Sequence, residues 1–345
     1  MRKLFSFITC LTFLYNIEAT AQCACCSSVG CGDNSGGGSS LVKKGKFLFG
    51  LTGRYTTFKP LSSEQLQHYA GADTSFPVYN KSNQVTYIMS LTYGISDRLN
   101  VTATLPYNSI ANIQIGSPSG DAVIQGTSKG FSNLKISIQY VLFQRKQLNG
   151  WEIIPAVGII APTGVHNNVG LDGNVFDDQF QPGANAWVPV LGLSGDNTFG
   201  KVTLRSSVNY VFANTDPAGN TDASLWNIDA SAYLPLYQSG AGKVKGVADS
   251  IQACMMRCQS YFVVNAFGGI QCEHIGQDVV AMPDGSKQPN GNIGAFRIYA
   301  DLGVVANFYQ RLFMPVSFAL PVYQTFNGYQ VKVQWRLNAG LSVLF

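Results

Sequence analysis

Eight cysteines and three histidines are the side chains best equipped for chemistry in this 345-residue chain. Cys23, Cys25, Cys26 and Cys31 crowd into one short segment, Cys254, Cys258 and Cys272 lie far downstream, and Cys10 sits in an apolar run near the start. Soft thiolates this close together could capture a thiophilic ion such as Cu(I) or Zn(II). The spacing matches no familiar zinc pattern, and adjacent Cys25 and Cys26 cannot easily share one tetrahedral ion with their neighbours. Disulfides or covalent tethering therefore compete with metal binding as readings of the cluster. Cys254 and Cys258 lie four apart in a helix-like stretch and would share a helical face. The histidines, His68, His166 and His274, all fall in segments read as loops, whereas a hydrolase needs a His within reach of Ser or Asp. His166, with Asn167, Asn168, Asp172, Asp177 and Asp178 nearby in sequence, could make a loop site for a cation or a general base, and a solvated polar loop accounts for the same residues. The segment 170–173 lacks the ligand spacing of a calcium loop.

The elements that would position these groups begin with export. Arg2 and Lys3 precede an apolar run, and Ala19, Thr20 and Ala21 supply small residues, so residues 1–21 read as a secretory signal peptide. Acylation of Cys23 fits less well, because Gln22 stands where a lipoprotein has a small residue. Residues 22–45 form a Cys/Gly/Ser-rich tail without apolar periodicity. Beyond the signal no uninterrupted apolar run reaches about eighteen residues, so a membrane span has to be a closed barrel. Charged residues are only 12% of the chain against 36 glycines, a balance suited to many short strands and turns. The net charge of +4 gives no reason to invoke nucleic acid.

Strict alternation dominates the rest. At the C-terminal end Val331, Val333, Trp335, Leu337, Ala339, Leu341 and Val343 alternate with Lys332, Gln334, Arg336, Asn338, Gly340 and Ser342. A period of two defines a strand, and one apolar face backed by one polar face suits lipid outside and water inside. The same pattern recurs at 46–55, 85–93, 99–107, 134–142, 151–161, 187–193, 201–212, 225–236, 260–271, 293–305 and 311–320. Residues 46–345 are thus expected to form an all-β fold, a closed antiparallel transmembrane β-barrel of about twelve strands, with short periplasmic turns and long extracellular loops. Residues 237–259 are an exception, a long connection on the periplasmic side. The last strand should pair with 46–55, since closure leaves no free edge. Pro155, Pro189 and Pro315 imply bulges or gaps in the wall, and Pro106, Pro235 and Pro321 are read as strand ends. Strand parity points Arg54, Lys135, Arg205, Asp229, Arg297, Asp301, Lys332 and Arg336 into the lumen. That lumen would be mostly cationic and select solutes by its field, or its charges would simply pair across it. Tyr93, Tyr107, Trp335 and Phe345 are read as outward girdle anchors.

Residues 91–107 resemble the hairpin of a Gram-negative outer-membrane group named for phenol meta-pathway channels, related to the long-chain fatty-acid transporter barrels. The likeness continues at 161–164, Ala-Pro-Thr-Gly, and at 180–186, and the terminal Phe345 is similar to the C-terminal signal of bacterial outer-membrane barrels. Gly183-Ala184-Asn185 departs from the Gly-Thr-Gly common in that group. The resemblance implies an outer-membrane channel or transporter for small, hydrophobic or aromatic solutes, not an enzyme, in a Gram-negative outer membrane. Its motifs are turns and strand ends, so no ligand residue is carried over. The alternatives are a structural or assembly barrel whose Cys-rich tail binds a thiophilic metal or docks a periplasmic protein partner, and an outer-membrane hydrolase.

Overall fold

The computed structural model describes residues 42–72, 77–116, 122–143, 152–199, 202–216, 219–239, 262–282, 284–309 and 311–345. The expected signal peptide, most of the tail, and Cys23, Cys25, Cys26, Cys31, Cys254 and Cys258 lie outside the described residues.

Strand β1 (Phe47–Lys59) is followed by helix α1 (Ser63–Ala72) and the short β2 (Val78–Asn80). Next come β3 (Asn83–Ser96), β4 (Leu99–Gly116), β5 (Ala122–Phe131), β6 (Leu134–Tyr140), β7 (Glu152–Ala161), β8 (Val188–Phe199) and β9 (Val202–Val211). The second half holds β10 (Asn214–Thr215), β11 (Thr221–Asp222), β12 (Leu225–Ser239), β13 (Phe262–Ile275), β14 (Val279–Ala281) and β15 (Lys287–Pro289). It ends with β16 (Ala295–Phe308), β17 (Leu312–Phe326) and β18 (Lys332–Leu344).

Twelve of these close a ring in the order β1, β3, β4, β6, β7, β8, β9, β12, β13, β16, β17, β18, every neighbour antiparallel. Closure is as alternation and edge avoidance require: Leu48 pairs with Leu344 and Arg54 with Asn338. The ends of the barrel differ. One, the turn end, carries the start of β1 and the end of β18, and Phe345 N donates to Phe47 O there at 2.8 Å. The other, the loop end, carries residues 60–72, 77–82, 162–187, 276–282 and 284–294, and a separate four-stranded sheet of β10, β11, β14 and β15 stands at that end.

The outer face is apolar and bare. Leu302 is 69% and Val322 64% exposed, values that only a lipid or protein partner makes tolerable around a whole barrel. Aromatic pairs band this face at two levels. Phe47 meets Tyr93, and Phe262 meets Phe308, near the turn end. Trp226, His274, Phe296 and Tyr323 form a ladder near the loop end, and Trp335 stacks between Tyr55 and Phe318. His274, expected in a loop, is a strand residue of this outer belt.

Each proline in a barrel strand marks an interruption of the ladder. Pro315 falls in a gap between β17 and β18, where pairing skips from Phe313↔Ser342 to Val316↔Ala339. Pro155 stands just past the last β6–β7 pair, Gln139↔Ala156, and Pro189 just before the first β8–β9 pair, Val190↔Val211. Pro106, Pro235 and Pro321, read as strand ends, lie inside β4, β12 and β17. Bulges accept Pro235 and Pro321, and Pro106 faces the break where β5 gives way to β6.

At the turn end Val42 is buried and lies on the inward face. The Asn100 amide, oriented to satisfy both groups, donates to Val42 O at 2.9 Å and accepts from Val42 N at 2.8 Å. Gly94 lets this strap cross: a Cβ there would lie 2.5 Å from Val42 O and still closer to Lys43 O. Because both obstacles are backbone, Gly94→Ala is expected to dislodge the strap at a cost of about 1–3 kcal/mol. Faster tryptic cleavage after Lys43 or Lys44 than in the parent, in an otherwise folded barrel, is the expected readout.

Candidate functional site

Alternation sends even positions of β1 and β3, and odd positions of β12, β13 and β16, into the lumen, which is built in two storeys. The lower storey, toward the turn end, is a cavity of about 190 Å³. Its wall is rich in hydroxyls, among them Ser90, Thr92, Thr102, Ser137, Ser194 and Ser207. Five of the expected lumen residues line it: Arg54, Lys135, Arg205, Asp229 and Asp301. Arg54 Nε donates to Asn338 Oδ1 at 3.1 Å, Ser207 Oγ to Asp229 Oδ2 at 3.3 Å, and the Arg205 guanidinium lies over the Tyr233 ring at 5.5 Å.

The upper storey is filled. Phe58, Tyr299, Ala319, Val331 and Val333 form one buried apolar cluster, and Tyr79, Ile110, Ile113, Phe176 and Phe180 form another. Phe176 and Phe180 come from the 162–187 loop, so chain from the loop end enters the barrel mouth. A buried charge cluster accompanies these side chains. Glu273, with no exposed surface, accepts from Arg297 Nη1 at 3.1 Å, from Arg336 Nη2 at 3.1 and 3.3 Å, and from Tyr299 OH at 3.4 Å. The Arg336 guanidinium stacks on Tyr299 at 4.1 Å and that of Arg297 on Phe326 at 5.4 Å. Each cation thus has an aromatic face as well as a carboxylate.

Lys332 is not in the lumen. The β1–β18 register jumps from Thr57↔Trp335 to Phe58↔Val333, and this bulge inverts the alternation, burying Val331 and Val333 and leaving Lys332 exposed. Parity also missed two residues. Glu273 lies on the inward face of β13 beyond the expected strand end at Gln271, and extending the alternation by one step would have found it. Lys81, in the connection between β2 and β3, stands over Phe58 at 4.4 Å and Phe180 at 5.8 Å. Nothing in its local sequence signals that position. With Glu152, Asp196 and Glu273 added to Asp229 and Asp301, the described inward carboxylates nearly balance the cations, so the lumen is mixed in sign rather than mostly cationic.

Enclosure among the rings, then the charges of Arg297 and Arg336, pull the half-buried Lys81 ammonium from 10.5 down to about 7, with Glu273 opposing them. The folded value lies below the unfolded one, so the charge opposes folding; the penalty is complete below about pH 7 and fades as pH rises toward the unfolded value. Lys81 accordingly carries its charge below about pH 7 and loses it above. In planar bilayers the preference for anions over cations should be larger at pH 6 than at pH 8, and Lys81→Met should reduce the difference; an unchanged pH response in that variant would refute the assignment to Lys81.

The loop residues considered for a cation or a base do not converge. Asp172 is exposed, and the Gln125 amide, aided by Asn174, holds its carboxyl below the usual range. His166 Nδ1 meets the Gly164 carbonyl at 3.3 Å, and His68 is exposed on α1. Among the described residues no three His, Cys, Asp or Glu side chains gather as a metal site needs.

No protein-family model matches the chain, and no curated protein matches it in sequence. Solved structures do match. An outer membrane channel from Pseudomonas putida F1 aligns with a TM-score of 0.55 at 13% identity, covering 90% of this chain and 99% of that one. The beta domain of the Bordetella autotransporter BrkA aligns at 0.44 and 13% identity, covering 86% and 98%. The monoaromatic hydrocarbon channel TodX, as a mutant, aligns at 0.40 and 8% identity, covering 88% and 91%. The first of these likenesses shows the fold: the chain has the architecture of an outer-membrane β-barrel.

Proposed function

We propose that the chain is an outer-membrane channel or transporter for small, hydrophobic or aromatic solutes, with its loop end outside a Gram-negative cell and its turn end in the periplasm. One observation carries this reading. A barrel with a lipid-suited exterior encloses a chamber whose wall sets hydroxyls beside Ile88, Ile154, Leu193 and Tyr233, so a solute with an apolar or aromatic body and a polar end finds partners for both. The outer membrane channel from Pseudomonas putida supports the fold on which the reading depends. A hydrolytic reading has less behind it, because His166 and His68 sit in the loop region and His274 in the outer belt, away from the chamber.

The test is solute flux through the folded, heat-modifiable protein in liposomes and planar bilayers. Uptake of small aromatic solutes well above that of protein-free vesicles is expected. Absence of flux for any solute or ion from protein shown to be folded would sink the channel reading.

A further inference from the structure

The roof of the chamber holds more positive charge than its one carboxylate can satisfy. Glu273 receives both Arg297 and Arg336. Lys81 makes no hydrogen bond or ion pair among the described residues; its ammonium only overlies Phe58 and Phe180, close enough to both guanidiniums to feel their charges. Arg297, 9% exposed, keeps a buried Nε without an acceptor. A buried donor left unmet costs about 1–3 kcal/mol, so donors on two separate elements at one place call for an acceptor that the chain does not provide.

We propose that this roof is a binding site for a small aromatic carboxylate, whose carboxylate is received by Lys81 Nζ and Arg297 Nε beside Glu273 and whose ring lies among Phe58, Phe180 and Phe326. The proposal rests on the channel reading and names the solute class for its roof. Charge selects an anion, since Lys81, Arg297 and Arg336 share the single carboxylate of Glu273. Geometry agrees, since a guanidinium edge and an ammonium both suit a planar carboxylate. The rings offer an aromatic body apolar partners, and because Phe180 and Tyr299 are fully packed and Phe58 nearly so, its entry has to part that packing.

The experiment uses the full chain folded in detergent at pH 6. Sodium benzoate and its neutral counterpart benzyl alcohol are titrated by calorimetry, and benzoate is then added to the same protein in planar bilayers. Benzoate is expected to bind at least tenfold more tightly than benzyl alcohol and to reduce chloride current saturably. Lys81→Met, in a connection outside the barrel strands, should weaken benzoate at least tenfold without affecting benzyl alcohol. Arg297→Lys, which keeps the charge and removes Nε, should weaken it severalfold and covers the case in which a larger change at Arg297 prevents folding. Equal binding of the two compounds, unchanged benzoate affinity in Lys81→Met, or tighter binding of inorganic phosphate than of benzoate would each overturn the proposal. Chloride conductance without benzoate binding would refute this site and leave the channel standing. Benzoate binding without any conductance would refute the channel and leave the site.

Discussion

Glu273→Ala is expected to cost the barrel about 3 kcal/mol, the lower part of the range for removing one partner of a buried ion pair. Glu273 is fully buried and takes hydrogen bonds from Arg297 and Arg336, so its loss leaves two guanidiniums and the nearby Lys81 ammonium with no carboxylate among them. Water entering from the chamber below should temper the penalty, which is why the lower figure applies. The effect should also spread. Glu273 stands on β13, Arg297 on β16 and Arg336 on β18, so one carboxylate braces three strands of the wall.

Two companion variants separate charge from packing. Glu273→Gln keeps nearly the same volume and an acceptor for Tyr299 OH but no charge, and it should lose almost as much as alanine does. Replacing Glu273, Arg297 and Arg336 together by Met, Met and Leu should recover most of the loss, because Lys81 is then the one charge left in the cluster and can shed its proton. Urea unfolding in lipid vesicles, followed by the fluorescence of Trp226 and Trp335, would measure all three. An unchanged midpoint in Glu273→Ala would show that the carboxylate does not neutralise the roof.

Much of the barrel is readable wherever lipid touches it. The outward face of a spanning strand has to be apolar while the inward face is wet, so Leu337, Ala339 and Leu341 against Arg336, Asn338 and Gly340 betray both the strand and its parity. The signal fades where strands rise past the membrane or the ladder slips. Residues 108–116 read as loop because Asn108, Asn112 and Gln114 break the alternation, yet β4 runs to Gly116 and pairs there with β5. A bulge beside Asn112, whose φ is 56°, shifts the inward face from even to odd positions and so buries Ile113. The same device displaced Lys332. The roof was hidden for a different reason. Arg297 and Arg336 are visible through parity, but their carboxylate lies past an expected strand end, 63 residues before Arg336, and Lys81 arrives from a connection. Pairings of that range follow from closure of the barrel and leave no local pattern.

Closure of the mouth leads to the second large effect: Gly183→Val should release the 162–187 loop, cost about 1–3 kcal/mol and raise conductance severalfold. Gly183 and Gly164 meet backbone to backbone. A Cβ on Gly183 would stand 2.6 Å from Gly164 Cα and 2.8 Å from Asn133 Oδ1, neither of which can yield. The contact is fixed from several sides: Asn133 Nδ2 donates to Ala184 O at 2.8 Å, Gly164 N donates to Asn133 Oδ1 at 2.8 Å, and Gly183 N donates to Val165 O at 2.8 Å. Beyond this clamp the loop delivers Phe176 and Phe180, 2% and 1% exposed, into the upper storey. Forcing the clamp apart should therefore withdraw both rings, exposing apolar surface to dye binding and opening the route from the loop end to the chamber. Gly173→Ala is the matched control, since its φ of 79° penalises any side chain by about 1 kcal/mol while a Cβ there meets nothing within 4 Å. That variant should lose a little stability and keep the parent conductance. If Gly183→Val behaves as Gly173→Ala does, the loop does not close the mouth.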